Sequence, residues 1–303
     1  MDGLFDLRAP APAARFARPK LTPEGALASK RLNLGFMHET NGASALEPVP
    51  GFHAARARTA GLLSLGAGPA REAAIQPGFR PESQLDEEDR VPILDPTALP
   101  WRSIARLSIT YEGGGSAIGT AWFVGPRALA TAGHNLRHPE QGVATTVRVT
   151  PAYDGRNAPF DTVAASQIFC EPAWLADPSS APDLDYGVVV LPDRTMGQHL
   201  GWFGIASYTD DQLVPMLVNV SGYAADLQPQ TQWYAGGRIL DALPKHLLYD
   251  FDTSFGMSGA PIFAVFGKQR VAIGIHTDGG DRTNRARRID DALFDRLMTF
   301  VKM

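Results

Sequence analysis

Three short stretches of this chain carry side chains that can make and break acyl bonds together. Gly256-Met257-Ser258-Gly259-Ala260-Pro261 holds a serine between glycines, and Thr131-Ala132-Gly133-His134 ends on a histidine. Asp185-Tyr186-Gly187-Val188-Val189-Val190-Leu191 opens on an aspartate. A serine hydroxyl is a poor nucleophile at neutral pH and needs a neighbouring imidazole to take its proton. The imidazole in turn needs a carboxylate to fix its tautomer and stabilise its cation. A tetrahedral intermediate also needs two backbone N–H groups aimed at its oxyanion, which Gly256 and Ser258 can supply from one tight turn. Glycine at 256 tolerates the dihedral angles such a turn demands.

Each residue has a plainer explanation when taken alone. Ser-Gly in a loop is commonly just a turn, His134 could be a satisfied core histidine, and Asp185 could be a strand-edge carboxylate. Their positions weigh against coincidence. His134 follows the apolar runs Ala121–Val124 and Ala128–Ala130, Asp185 opens a β-branched run ending at Leu191, and Ser258 precedes Ile262–Phe266. The chain order histidine, aspartate, serine goes with a double β-barrel rather than with the other scaffolds that host this trio. The α/β-hydrolase elbow is excluded because it needs glycine two residues after the serine, where Ala260 stands.

The elements that must position these residues begin near Val91. Ile104–Tyr111, Ala117–Val124, Thr145–Thr150, Tyr186–Leu191, Leu213–Val220, Gln230–Ala235, Ile262–Phe266 and Arg270–Ile275 read as short strands separated by turn residues. The expected fold is all-β: two antiparallel six-stranded barrels with the active site between them. His134 and Asp185 come from the first barrel and Ser258 from the second. Apolar residues at 289, 293, 294, 297, 298 and 301 form a helical stripe, so a C-terminal helix is expected to pack there.

Residues 1–90 have a different texture, rich in Ala, Pro, Gly and Arg, and are expected to be an N-terminal extension, either a propeptide or a docking segment that is never removed, ahead of a domain at 91–303. Ala60–Leu65 could form a short helix or strand. The acidic run Asp86–Asp89 before Arg90-Val91 suggests a place where a protease would nick a precursor. A formal net charge of −4 over 303 residues argues against a nucleic-acid partner. The Arg285–Arg288 patch is read as a solvated loop. The single Cys170 cannot form an internal disulfide and is read as a buried apolar residue, so it leaves the compartment open. The acidic start Met1–Arg8 has no continuous apolar region, and no window is apolar enough to span a membrane. The expectation is a soluble protein, cytoplasmic or exported by a route other than Sec.

From about Val91 onward, roughly two thirds of its length, the chain resembles the trypsin-like serine peptidases, and within them the bacterial glutamyl endopeptidases. The matching residues are Thr131–His134, Asp185–Leu191, Tyr249–Pro261 and Gly274-Ile275-His276. Met257 departs from the polar residue usual before the nucleophile, and Phe255 stands where a second glycine is common. The resemblance implies that Thr253 and His276 bind the substrate's glutamate carboxylate through hydrogen bonds. It further implies that a free α-amine at Val91, released by an activating protease that cuts after Arg90, completes the pocket.

Asp252, six residues before Ser258, supports a rival reading of cleavage after Arg or Lys. A non-catalytic homologue that binds partners through the old cleft, and an esterase with little peptidase activity, are further alternatives. The chemistry needs no metal or organic cofactor. Its partner is a protein or peptide substrate. Because the base must be neutral, activity is expected to fall as pH drops through the ordinary imidazole value near ~6.5.

Overall fold

The computed structural model describes residues 31–33, 35, 88–214, 216–227, 231–266, 269–280 and 282–303. Most of the expected extension, Ala60–Leu65 included, lies outside the described residues. Two short strands come first: β1 (Arg31–Asn33) and β2 (Val91–Pro92).

The first barrel runs through β3 (Ile104–Tyr111), β4 (Ser116–Phe123), β5 (Ala128–Thr131), β6 (Arg137–His138), β7 (Gly142–Pro151), β8 (Val163–Ala164), β9 (Gln167–Cys170) and β10 (Gly187–Val190). Its main strands are hydrogen-bonded in the order β7-β3-β4-β5-β10-β9, with β6 and β8 as short additions on β7. Alternation along β3 and β7 turns Leu107, Ile109, Val147 and Val149 inward, where they meet Phe123, Leu129, Leu136 and Val189.

After β11 (Gly204–Ser207) comes the second barrel: β12 (Leu217–Tyr223), β13 (Gln232–Ala242), β14 (His246–Tyr249), β15 (Pro261–Phe266), β16 (Gln269–Gly279) and β17 (Asn284–Arg288). These six close into a ring, because β16 pairs with both β15 and β17. Val218, Val220, Ile239, Leu247, Ile262 and Ile273 fill it. A third apolar cluster forms the seam between the barrels, where Trp122, Val188 and Val190 meet Phe203, Phe263 and Ile275. The helix Asp291–Val301 seals that seam with Leu293, Phe294, Leu297 and Phe300. Asp290 caps this helix, its carboxylate accepting from the Leu293 N–H at 2.9 Å.

The double-barrel architecture and the C-terminal helix agree with the sequence reading; three details differ. The 213–220 strand starts at Leu217, because Thr209 and Gln212 form a capping box that makes Asp210–Leu213 helical. β11 joins β16 in parallel, an exception to the antiparallel pattern. The basic patch Arg285–Arg288 is strand β17 and not a solvated loop. It can be buried because each guanidinium has an acceptor: Arg285 meets Asp278, Arg287 meets Asp290 and the Asp183 carbonyl, and Arg288 meets Asp210.

Candidate active site

His134 sits in the single turn Gly133–Asn135 that follows β5, and Asp185 ends the turn that precedes β10. The two strands are antiparallel neighbours in the register Gly187↔Thr131, so their ends bring the histidine and the aspartate to one edge of the first barrel. Asp185 then holds His134 at two points. One carboxylate oxygen accepts from the His134 backbone N–H at 2.9 Å, and the other lies 2.9 Å from Nδ1. A carboxylate on Nδ1 directs the opposite nitrogen, Nε2, toward proton transfer. Glycines permit the close fit: a Cβ at Gly187 would lie 2.7 Å from Leu136 Cδ1, and one at Gly133 would lie 3.0 Å from both the Trp174 ring and the Tyr186 amide. Tyr111 steadies the turn from beneath, its hydroxyl donating to the carbonyls of Asn135 (3.2 Å) and His134 (3.4 Å).

Ser258 stands in the loop between β14 and β15, and contacts from the first barrel hold that loop. The Ser258 carbonyl accepts from the Thr120 N–H and from Asn135 Nδ2, both at 2.9 Å. Asn135 is the residue after His134, so the histidine turn and the serine loop share a hydrogen bond. Thr120 Oγ1 donates to the Gly256 carbonyl at 2.7 Å and accepts from the Tyr223 N–H at 3.0 Å. Thr131 Oγ1 donates to the Thr120 carbonyl at 2.7 Å.

Gly256 and Gly259 both have φ of +90°, in the range that favours glycine. Side chains are excluded there on space as well: a Cβ at Gly259 would lie 2.1 Å from the Thr120 carbonyl, and one at Gly256 2.3 Å from that of Tyr223. The Phe255 carbonyl accepts from the Ala225 N–H at 2.6 Å. C=O and N–H point in opposite directions across a trans peptide, so the Gly256 N–H is turned away from Ala225.

Three of the four expected substrate-binding residues are buried. His276 lies on β16, fully buried, with Nδ1 against the Tyr249 hydroxyl and 3.1 Å from the Arg285 carbonyl. Thr253 is also fully buried, and its Oγ1 has no hydrogen-bond partner among the described residues. Asp252 is tied to the segment before β2, since its N–H donates to Asp89 Oδ1 at 3.1 Å and its carboxylate accepts from the Asp89 N–H at 3.3 Å. Val91, the fourth, pairs with Tyr234 on β13, so Asp89 is what the structure brings against Asp252.

The bond suggested for activating cleavage, Arg90–Val91, does not lie in an exposed loop. The Arg90 side chain is 0% exposed and forked between the carboxylates of Glu88 and Asp226. Sequence reasoning took this segment for a cleavage site, and it missed Thr120 and Asn135. Only Asn135 carried a signal, its adjacency to His134. Cys170 is half-buried rather than fully buried, and burial with the nearby Asp185 and Glu171 charges pushes its thiol up to about 12, which disfavours the thiolate. No helix among the described residues is long and apolar enough to cross a membrane.

The chain is 33% identical over 227 residues to the glutamyl endopeptidase of Bacillus licheniformis, spanning 71% of this chain and 68% of that protein. It is 28% identical over 221 residues to a Bacillus subtilis protein named extracellular metalloprotease, spanning 72% of this chain and 70% of the other. No protein-family profile matches it. Among solved structures, a Glu endopeptidase in complex with MPD superposes with a TM-score of 0.63 at 18% identity, covering 72% of this chain and 99% of that one.

Proposed function

The chain belongs to the glutamyl endopeptidases, serine peptidases of the chymotrypsin fold, and from that premise we propose that His134, Asp185 and Ser258 form its catalytic triad. Ser258 Oγ attacks the scissile carbonyl while His134 takes its proton and Asp185 holds the imidazole. The amides of Gly256 and Ser258 receive the oxyanion. His134 then protonates the leaving amine, and water hydrolyses the acyl-enzyme. The observation that carries the reading is the two-point grip of Asp185 on His134, which fixes both the backbone and the tautomer of the base. The same geometry also speaks against a purely partner-binding role, which needs no oriented imidazole.

The proposed substrate is a peptide cut after Glu or Asp. Thr253 Oγ1, buried and unsatisfied, suits a carboxylate acceptor brought by substrate, and His276 on β16 is the proposed second donor. One observation favours the alternative of cleavage after Arg or Lys: Glu88, Asp89 and Asp252 bring carboxylate oxygens within 4.8 Å of one another beside this wall. Cleavage of a mixed peptide library decides between them, with Ser258→Ala as control. Cuts after Glu and Asp that disappear in Ser258→Ala support the whole reading. Cuts after Arg or Lys transfer the specificity to Asp252.

The buried side chain of Arg90 also moves the proposed start of the peptidase domain to Glu88 or earlier. N-terminal sequencing of active enzyme is therefore expected to give a first residue at or before Glu88. A first residue of Val91 would restore the cut after Arg90.

A further inference from the structure

We propose that Arg90 is a positioning residue for the oxyanion loop, acting through Asp226 and Ser254. This rests on the reading of Gly256 and Ser258 as the oxyanion donors. Arg90 Nη1 and Nη2 reach the two oxygens of Asp226 at 3.0 and 2.7 Å, a bidentate fork. On its other side, Nε and Nη2 reach the two oxygens of Glu88, both at 2.7 Å. With its side chain 0% exposed and four hydrogen bonds made, this guanidinium is fixed.

Asp226 passes that order to the catalytic loop. Its Oδ1 accepts from the Ser254 hydroxyl, and the Ser254 carbonyl accepts from the Met257 N–H at 2.9 Å, closing the turn that contains Phe255 and Gly256. The residue before Asp226 completes the grip, because the Ala225 N–H holds the Phe255 carbonyl at 2.6 Å. That bond decides which way the Phe255–Gly256 peptide faces. If the plane flipped, the Gly256 N–H would leave the cleft and the Phe255 carbonyl would enter it, presenting an acceptor where the oxyanion needs a donor. Glycine at 256, with φ of +90°, offers little resistance of its own to such a flip. Resistance comes from the 225–226 segment, and Arg90 anchors that segment to the chain ahead of β2.

The test compares Arg90→Met, Arg90→Lys, Asp226→Asn and Ser254→Ala in the full chain. Turnover of a peptide substrate is measured beside the affinity for a peptide aldehyde of the same sequence, whose adduct uses the oxyanion donors, and for the non-reactive peptide alcohol. Loss of one oxyanion donor outright costs about 10²–10³ in kcat, so loosening the loop in Arg90→Met should cost about 10- to 100-fold. KM should change by less than about threefold, since substrate binding makes little use of the oxyanion donors before attack.

Aldehyde affinity should fall in step with kcat while alcohol affinity holds, and Arg90→Lys should recover part of the loss. Ser254→Ala breaks the same relay without removing a buried charge, so it serves if Arg90→Met does not fold. Wild-type-like kcat and aldehyde affinity in folded Ser254→Ala and Asp226→Asn would overturn the proposal alone. A wild-type chain that neither turns over nor binds the aldehyde would overturn the catalytic reading as well.

Discussion

In the first barrel, His134 and Asp185 sit at the ends of adjacent strands, and one backbone register brings them together. In the second, Ser258 sits in a loop whose ties come from far along the chain: Thr120 and Asn135 of the other barrel, and Arg90 through Asp226 and Ser254. The histidine half is thus a product of sheet pairing, which any well-formed barrel supplies. The serine half depends on the two barrels docking and on the segment ahead of β2 lying in place.

The largest expected effects break one half outright. Ser258→Ala and His134→Ala should each lower kcat by about 10⁶-fold, and Asp185→Asn by about 10⁴-fold, with the fold intact. Hydrolysis of a peptide ester measures this, with circular dichroism confirming structure. An Asp185→Asn enzyme within tenfold of wild type would show that the aspartate does not orient the base.

The comparison sharpens with a pair of buried hydroxyls, one under each half. Thr120→Val keeps the shape of the side chain but leaves the Gly256 carbonyl and the Tyr223 N–H without their partner. Each stranded group costs about 1–3 kcal/mol, so a loss of roughly 2–4 kcal/mol is expected in urea unfolding, with a fall in kcat. Tyr111→Phe beneath His134 removes only long bonds of 3.2 and 3.4 Å and should cost no more than about 1 kcal/mol. Equal costs would mean that the two halves are held alike.

This asymmetry also explains how far the site was legible in the sequence. Residues at strand ends announce themselves, because continuous apolar and β-branched runs mark the strands that His134 follows and Asp185 precedes. Gly256 was legible through the turn it must make. Arg90, Asp226 and Thr120 were not, because their partners lie 136 residues away in the chain and no local pattern links them. β17 was misread for the same reason: three arginines in five residues look solvated until Asp278, Asp290 and Asp210 come into view from elsewhere.

The smallest expected effect probes the segment ahead of β2 by its charge. Burial pushes the Asp89 carboxyl up from 3.8 to about 6, helped by the like charges of Asp252 and Glu88 and opposed by the Asp252 N–H and Arg90. A carboxyl whose pKa is higher in the fold than in the unfolded chain contributes most to stability below pH 3.8, and that contribution is lost as pH rises to about 6. Above that, ionised Asp89 is a liability, though solvent at this exposed residue screens it to about 1 kcal/mol or less. Asp89→Asn keeps an acceptor for the Asp252 N–H and removes the charge. It should therefore match wild type in thermal unfolding near pH 3.5 and exceed it slightly at pH 7.5. A gap independent of pH would show that Asp89 joins this wall through its hydrogen bonds alone, and that the serine half tolerates the crowded carboxylates at no cost.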